Sequence, residues 1–84
     1  MIYTIDILRS AQKSLSRINR QDQERIIAAI EDLTEEPRPS GCKKLTGRSA
    51  WRIRIGNYRV IYEIQDDRLV ITVLNIGHRR EIYR

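Results

Sequence analysis

The apolar positions change period twice along this chain, and the changes divide it into elements. From Ile2 to Ile7 apolar and polar residues alternate, which predicts a first strand. From Arg9 the spacing becomes helical, with Leu8, Ala11, Leu15 and Ile18 recurring on one stripe. Asn19 then has the residue type of a helix N-cap, and Asp22 brings negative charge to the first turn. Ile26, Ile27, Ile30 and Leu33 form the expected buried stripe of a second helix, which Pro37 stops at Glu36. Two amphipathic helices with a short joint predict an αα-hairpin. Residues 37–49 read as a loop without regular structure, with Pro39-Ser40-Gly41 as a turn. Trp51 to Ile55 is a strand, Gly56-Asn57 a two-residue hairpin turn, and Tyr58 to Ile64 the returning strand. After a turn at Gln65-Asp66-Asp67 comes a nearly unbroken apolar strand, Arg68 to Ile76, expected to be central and covered on both faces. Gly77 ends it. The order β-α-α-β-β-β predicts an α+β fold, an antiparallel sheet with the helical hairpin packed on one face.

Length and composition narrow the class. Eighty-four residues with 40% hydrophobic content suit one domain over residues 1–84 with one core. No apolar run approaches the roughly 20 residues that span a bilayer, and the first residues lack a signal-peptide pattern. A cytoplasmic protein without membrane partners is the expectation. Cys42 and His78 are the single cysteine and histidine, which rules out an internal disulfide and argues against a zinc site. No metal or cofactor is expected.

Charge changes the picture more. The chain carries 16 Lys+Arg against 11 Asp+Glu, for a net charge of +5. Between Pro37 and Tyr62 stand seven basic residues (Arg38, Lys43, Lys44, Arg48, Arg52, Arg54 and Arg59) and no acid. Such segregation makes a local field whose natural partner is a polyanion. Strand alternation puts Ile53 and Ile55 on one side and Arg52 and Arg54 on the other, with Arg59 joining them from the returning strand. Three guanidinium groups on a rigid hairpin suit phosphate, although alternating charge also marks an ordinary solvated sheet face. The loop residues Lys43, Lys44 and Arg48 are candidate contacts for such a polyanion, or else are merely solvated. Gly47 is followed by Arg48-Ser49 and a strand, so the loop is not a nucleotide-binding P-loop.

At this hairpin the chain resembles a family. The stretch KKLTGRSAWRIRIGNYRVIYEI, followed by an apolar strand and NIGHRREIY, is similar to the RelE/ParE superfamily of bacterial toxins from toxin–antitoxin operons. The resemblance extends over essentially the whole chain and implies the RelE-like toxin fold. RelE-like members are implied to be ribonucleases cutting mRNA on the ribosome, and ParE-like members to poison DNA gyrase without such chemistry. Carried over on the matching motifs, the implied catalytic set is Arg52, Arg54, Arg59, Arg79 and Tyr83. RelE has lysines at the first two places, whereas an arginine stays protonated and makes a poor general base. The tail before Tyr83 is also shorter than in RelE. His78 and Glu63 are the candidate proton carriers, with surface exposure and ion pairing as their plainer roles. The resemblance implies a small acidic antitoxin as partner, together with the ribosome and its mRNA.

Overall fold

The computed structural model describes residues 2–78. Strand β1 (Thr4–Ile7) leads into helices α1 (Arg9–Ser16) and α2 (Arg20–Asp32). A two-residue strand β2 (Lys43–Lys44) follows, then β3 (Trp51–Ile55), β4 (Tyr58–Gln65) and β5 (Val70–His78). The five strands form one sheet in the order β1-β5-β4-β3-β2. Three pairs are antiparallel, and β1 lies parallel to β5. That parallel pair is the departure from an all-antiparallel sheet. It follows from connectivity, because the long route through both helices can return a strand in the same direction.

The helical hairpin forms for the expected reasons. The Asn19 side chain accepts from the Asp22 backbone N–H at 2.9 Å and its amide donates to the Asp22 carboxylate at 2.8 Å. This joint satisfies one donor at the α2 N-terminus. Gln23 adds a tie across the hairpin, donating to the Leu15 carbonyl at 2.8 Å. Ala11, Ile26, Ile30 and Leu33 are buried against Ile53, Val60, Tyr62, Ile71, Val73 and Ile76 of the sheet. Ile27 is instead exposed, because one step along the helix rotates it about 100° away from the stripe of Ile26 and Ile30. The regular helix also ends at Asp32, and a turn covers Leu33 to Glu35.

Two further expectations are corrected. Residues 37–49 are not without regular structure, since Lys43 and Lys44 pair with Arg52 and Trp51. Strand β5 lies second from the edge, β4 holds the centre, and β5 alternates in burial instead of being covered on both faces. The β3–β4 turn is as expected, with Gly56 at φ +59° opening a two-residue connection.

Arg38 is drawn away from the other bases. It grips the Asp66 carboxylate at 2.9 and 3.3 Å, lies 5.1 Å over the Trp51 ring, and shares Asp66 with the Tyr3 hydroxyl at 2.7 Å. Next to it, the buried Tyr62 donates to the Pro37 carbonyl at 2.7 Å, and burial pushes its phenol above the usual range. The loop leading to β2 is thus pinned at its start. The hydrogen bonds from Arg38 and then Tyr3 hold the Asp66 carboxyl below the usual carboxylate range. Its contribution to stability is therefore complete above the unfolded pKa of about 4 and is lost as pH falls through the lower folded value. Melting curves of the wild type and Asp66→Asn are expected to differ above about pH 4 and to converge in stronger acid. A gap that persists unchanged in strong acid would rule out the carboxylate's charge as its origin.

Candidate functional site

Residues opposite each other across neighbouring strands share a face, so the register lays out the side of the sheet away from the helices as rows. One row joins Arg54 of β3, Arg59 of β4 and Gly77 of β5. The next joins Lys43, Arg52, Ile61 and Asn75. A third joins Glu63, Thr72 and Asp6. The face is cationic at one end and acidic at the other. Same-face rows lie about 7 Å apart along a strand.

The expected grouping of Arg52, Arg54 and Arg59 on one face is what the structure shows. Its character differs from a solvated face, because Arg52 is only 6% exposed and Arg59 only 8%. Arg54 is exposed, and neither it nor Arg52 makes an ion pair among the described residues. The Arg52 Nε is buried and has no hydrogen-bond partner among the described residues. Ile61 on the same row is 2% exposed, and Ala50 at the head of β3 is 1% exposed. The Leu45 amide donates to the Ala50 carbonyl at 2.8 Å, which folds the 45–50 segment back on itself beside β3. A depression of about 400 Å³ remains here, lined among others by Lys43, Lys44, Arg48, Arg52, Ile61 and Asn75. Lys43, Lys44 and Arg48 therefore line the same depression as Arg52.

The two proton-carrier candidates part company. Glu63 is half-buried on the arginine face, one row beyond Ile61. His78 faces the other way. It is opposite Tyr58, its ring meeting that of Tyr58 edge-on at 5.8 Å, and it lines a recess with Ser14, Arg17 and Ile18 on the helical side. Arg79 and Tyr83 lie outside the described residues.

The reason for the position of His78 is a bulge. Ile61 is opposite Asn75 while its neighbour Tyr62 is opposite Val73, so Leu74 is an extra residue in β5. Ile71 and Val73 point into the core before it, and Ile76 and His78 lie on that side after it. Asn75 and Gly77 are thereby placed with the arginines. Bulges recur beside functional sites because they re-aim side chains in this way. Asn75 is the residue missed by sequence reasoning. Its signal was a residue type poorly suited to strands inside an otherwise apolar run.

Among the described residues no His, Cys, Asp and Glu cluster could hold a metal ion, and no helix is long and apolar enough to cross a membrane.

Comparison with known proteins places these features in a family. The family model for the ParE toxin of type II toxin–antitoxin systems matches residues 5–83. Toxin RelG of Mycobacterium tuberculosis is 32% identical, over 100% of this chain and 99% of that protein. The archaeal RelE–RelB complex from Pyrococcus horikoshii contains a chain that superposes with a TM-score of 0.84 at 29% identity, covering 94% of this chain and 97% of that one. The toxin–antitoxin complex RelBE2 of Mycobacterium tuberculosis gives 0.82 at 26% identity, covering 94% and 100%. The fold, the family model over nearly the whole chain and the full-length relatives agree: the chain belongs to the RelE/ParE superfamily of type II toxin–antitoxin toxins, in its RelE-like branch.

Proposed function

We propose that this toxin is a ribosome-dependent mRNA endonuclease that inhibits translation. One observation carries the reading. Arg54 and Arg59 are directly opposite on adjacent strands, with the buried Arg52 one row away. A phosphate between these guanidinium groups meets donors from two adjacent strands, and a phosphorane, with more charge on its oxygens, is held more strongly still. That is differential binding in favour of the transition state.

In the proposed reaction the 2′-oxygen of one nucleotide attacks the adjacent phosphorus and the bond to the 5′-oxygen breaks. The 2′-hydroxyl proton goes to a base, and the leaving 5′-oxygen takes up a proton. The products are a 2′,3′-cyclic phosphate and a 5′-hydroxyl. Arg52, Arg54 and Arg59 hold the phosphoryl oxygens, with Arg79 assigned to the same task and Tyr83 to stacking a base. Lys43, Lys44 and Arg48 hold flanking phosphates. Glu63 is the proton carrier that shares this face. His78, on the far side, has no such place in the reaction. With arginines where an unprotonated base would serve, the chain depends on its substrate being held in line. The ribosome is proposed to do that, and in-line positioning is worth several kcal/mol, on the order of 7–11 at best.

The RelBE2 structure of Mycobacterium tuberculosis is a toxin–antitoxin complex. By the same relationship, and by its charge, this chain is proposed to be neutralised by a small acidic antitoxin that orders on binding.

A second reading, gyrase inhibition without ribonuclease chemistry, has the ParE family match behind it. One protein preparation separates the two. Strong cleavage of mRNA on programmed ribosomes, little on the same RNA alone, and unaffected gyrase supercoiling are expected. Inhibited supercoiling with intact ribosome-bound mRNA would replace the proposal with the second reading.

A further inference from the structure

The bulge in β5 and the depression beside β2 meet at one residue, Asn75. It ends the row Lys43–Arg52–Ile61–Asn75, is exposed, and its carboxamide makes no hydrogen bond among the described residues. Ile61, itself buried, is the apolar residue that separates Asn75 from the cations along this row and also lines the depression. Cations lie toward the other end of the row, including Arg52, nine-tenths buried with its Nε unpartnered among the described residues. The volume of the depression, about 400 Å³, falls within the roughly 300–1,000 Å³ of small-molecule clefts. Phosphate recognition would use only the two N–H donors of Asn75 and leave its carbonyl oxygen idle, whereas a base-reading role uses everything a carboxamide has: one acceptor and two donors in one plane.

We propose that Asn75 reads a nucleobase of the RNA beside the phosphate held by the arginines, and that the base is adenine. Single-stranded RNA is recognised by splaying out bases and hydrogen-bonding their edges. The carboxamide of Asn matches adenine bidentately, accepting from the exocyclic N6 amine while donating to a ring nitrogen. Arg52 and Lys43 at the other end of the row hold the phosphate, so one row carries both backbone grip and base reading. Asn75 is here a specificity residue. Cleavage does not require it, and its loss changes which sites are cut.

This inference rests on the endonuclease reading, and its test separates the two. Wild type, Asn75→Ala and Asn75→Asp are compared on ribosomes programmed with mRNA randomised across the bound codon, with cut sites mapped by sequencing. Wild type is expected to favour adenine at one fixed position relative to the cut. Asn75→Ala should flatten the bias there by roughly tenfold or more, the range of a bidentate base contact, while leaving other positions and cooperative melting unchanged. Asn75→Asp, with acceptors only, should turn the bias from adenine toward guanine, whose Watson–Crick edge presents two adjacent donors. An unchanged bias in Asn75→Ala, a uniform drop at all positions, or a wild-type bias for another base would each overturn the inference while the endonuclease reading stands. Absence of wild-type cleavage would remove both.

Discussion

Replacing Arg59 with methionine is expected to lower cleavage of ribosome-bound mRNA by roughly 10²–10³-fold, the usual effect of losing one preorganised donor to a developing charge. The change keeps an unbranched side chain of similar reach, so the 8%-exposed position stays filled. Cooperative melting should therefore survive, and growth arrest on expression should disappear. Single-turnover cleavage and a thermal melt on the same preparation check both halves. A folded Arg59→Met protein that still cuts at the wild-type rate would show that the arginine face is not the active site. An unfolded one would point instead to a structural role, and Arg54→Gln, at an exposed position, then carries the test of the site.

The second large effect concerns the strand that places Asn75. Ile76 is 1% exposed in the core and Asn75 is exposed on the arginine face. Strict alternation from Ile71 and Val73 would have reversed them. Ile76→Asn loses a buried aliphatic side chain, about 2–5 kcal/mol, and leaves a polar group unsatisfied, about 1–3 kcal/mol more. The total of roughly 3–8 kcal/mol rivals the whole stability of a domain this size, on the order of 4–13 kcal/mol. Ile76→Asn is thus expected to be unfolded or nearly so at room temperature. Asn75→Ile should shift stability by about 0.5 kcal/mol either way, as surface changes do. Urea titrations of the two variants would show this asymmetry. A destabilised Asn75→Ile beside a stable Ile76→Asn would mean that β5 runs without the bulge.

The same strand shows what was legible in the sequence. The helical stripe of Ile26, Ile30 and Leu33, the Asn19 cap and the Gly56-Asn57 turn are local patterns, each set by residues within a few positions of one another. They were readable for that reason. The grouping of Arg52, Arg54 and Arg59 was readable too, because a two-residue turn fixes the register of the strands it joins. What escaped depends on distant partners. The parallel pairing of β1 with β5 joins residues about 66 positions apart. The two residues of β2 carry no strand pattern of their own and are held by Trp51 and Arg52. The burial of Arg52 and Arg59 comes from packing no spacing predicts. One unpaired residue, Leu74, moved His78 to the helical side and Asn75 to the arginine side. A bulge leaves little trace in a run of apolar residues, since Leu74 suits a strand as well as its neighbours do. The identity of the face was therefore clear while the membership of its C-terminal end was not.

The three rows also give the molecule a heading. Positive charge gathers around Arg54, Arg59, Arg52 and Lys43, and the carboxylates of Glu63 and Asp6 lie at the other end of the same face. In the field of a polyanion the two ends feel opposite forces, and the pair of forces is a torque. The protein turns as it nears its target, so that most first collisions bring the cationic end forward. At physiological ionic strength the field fades over about 8 Å, a distance comparable to one step between rows. Orientation is then decided within the last few layers of water, and added salt shortens that range further.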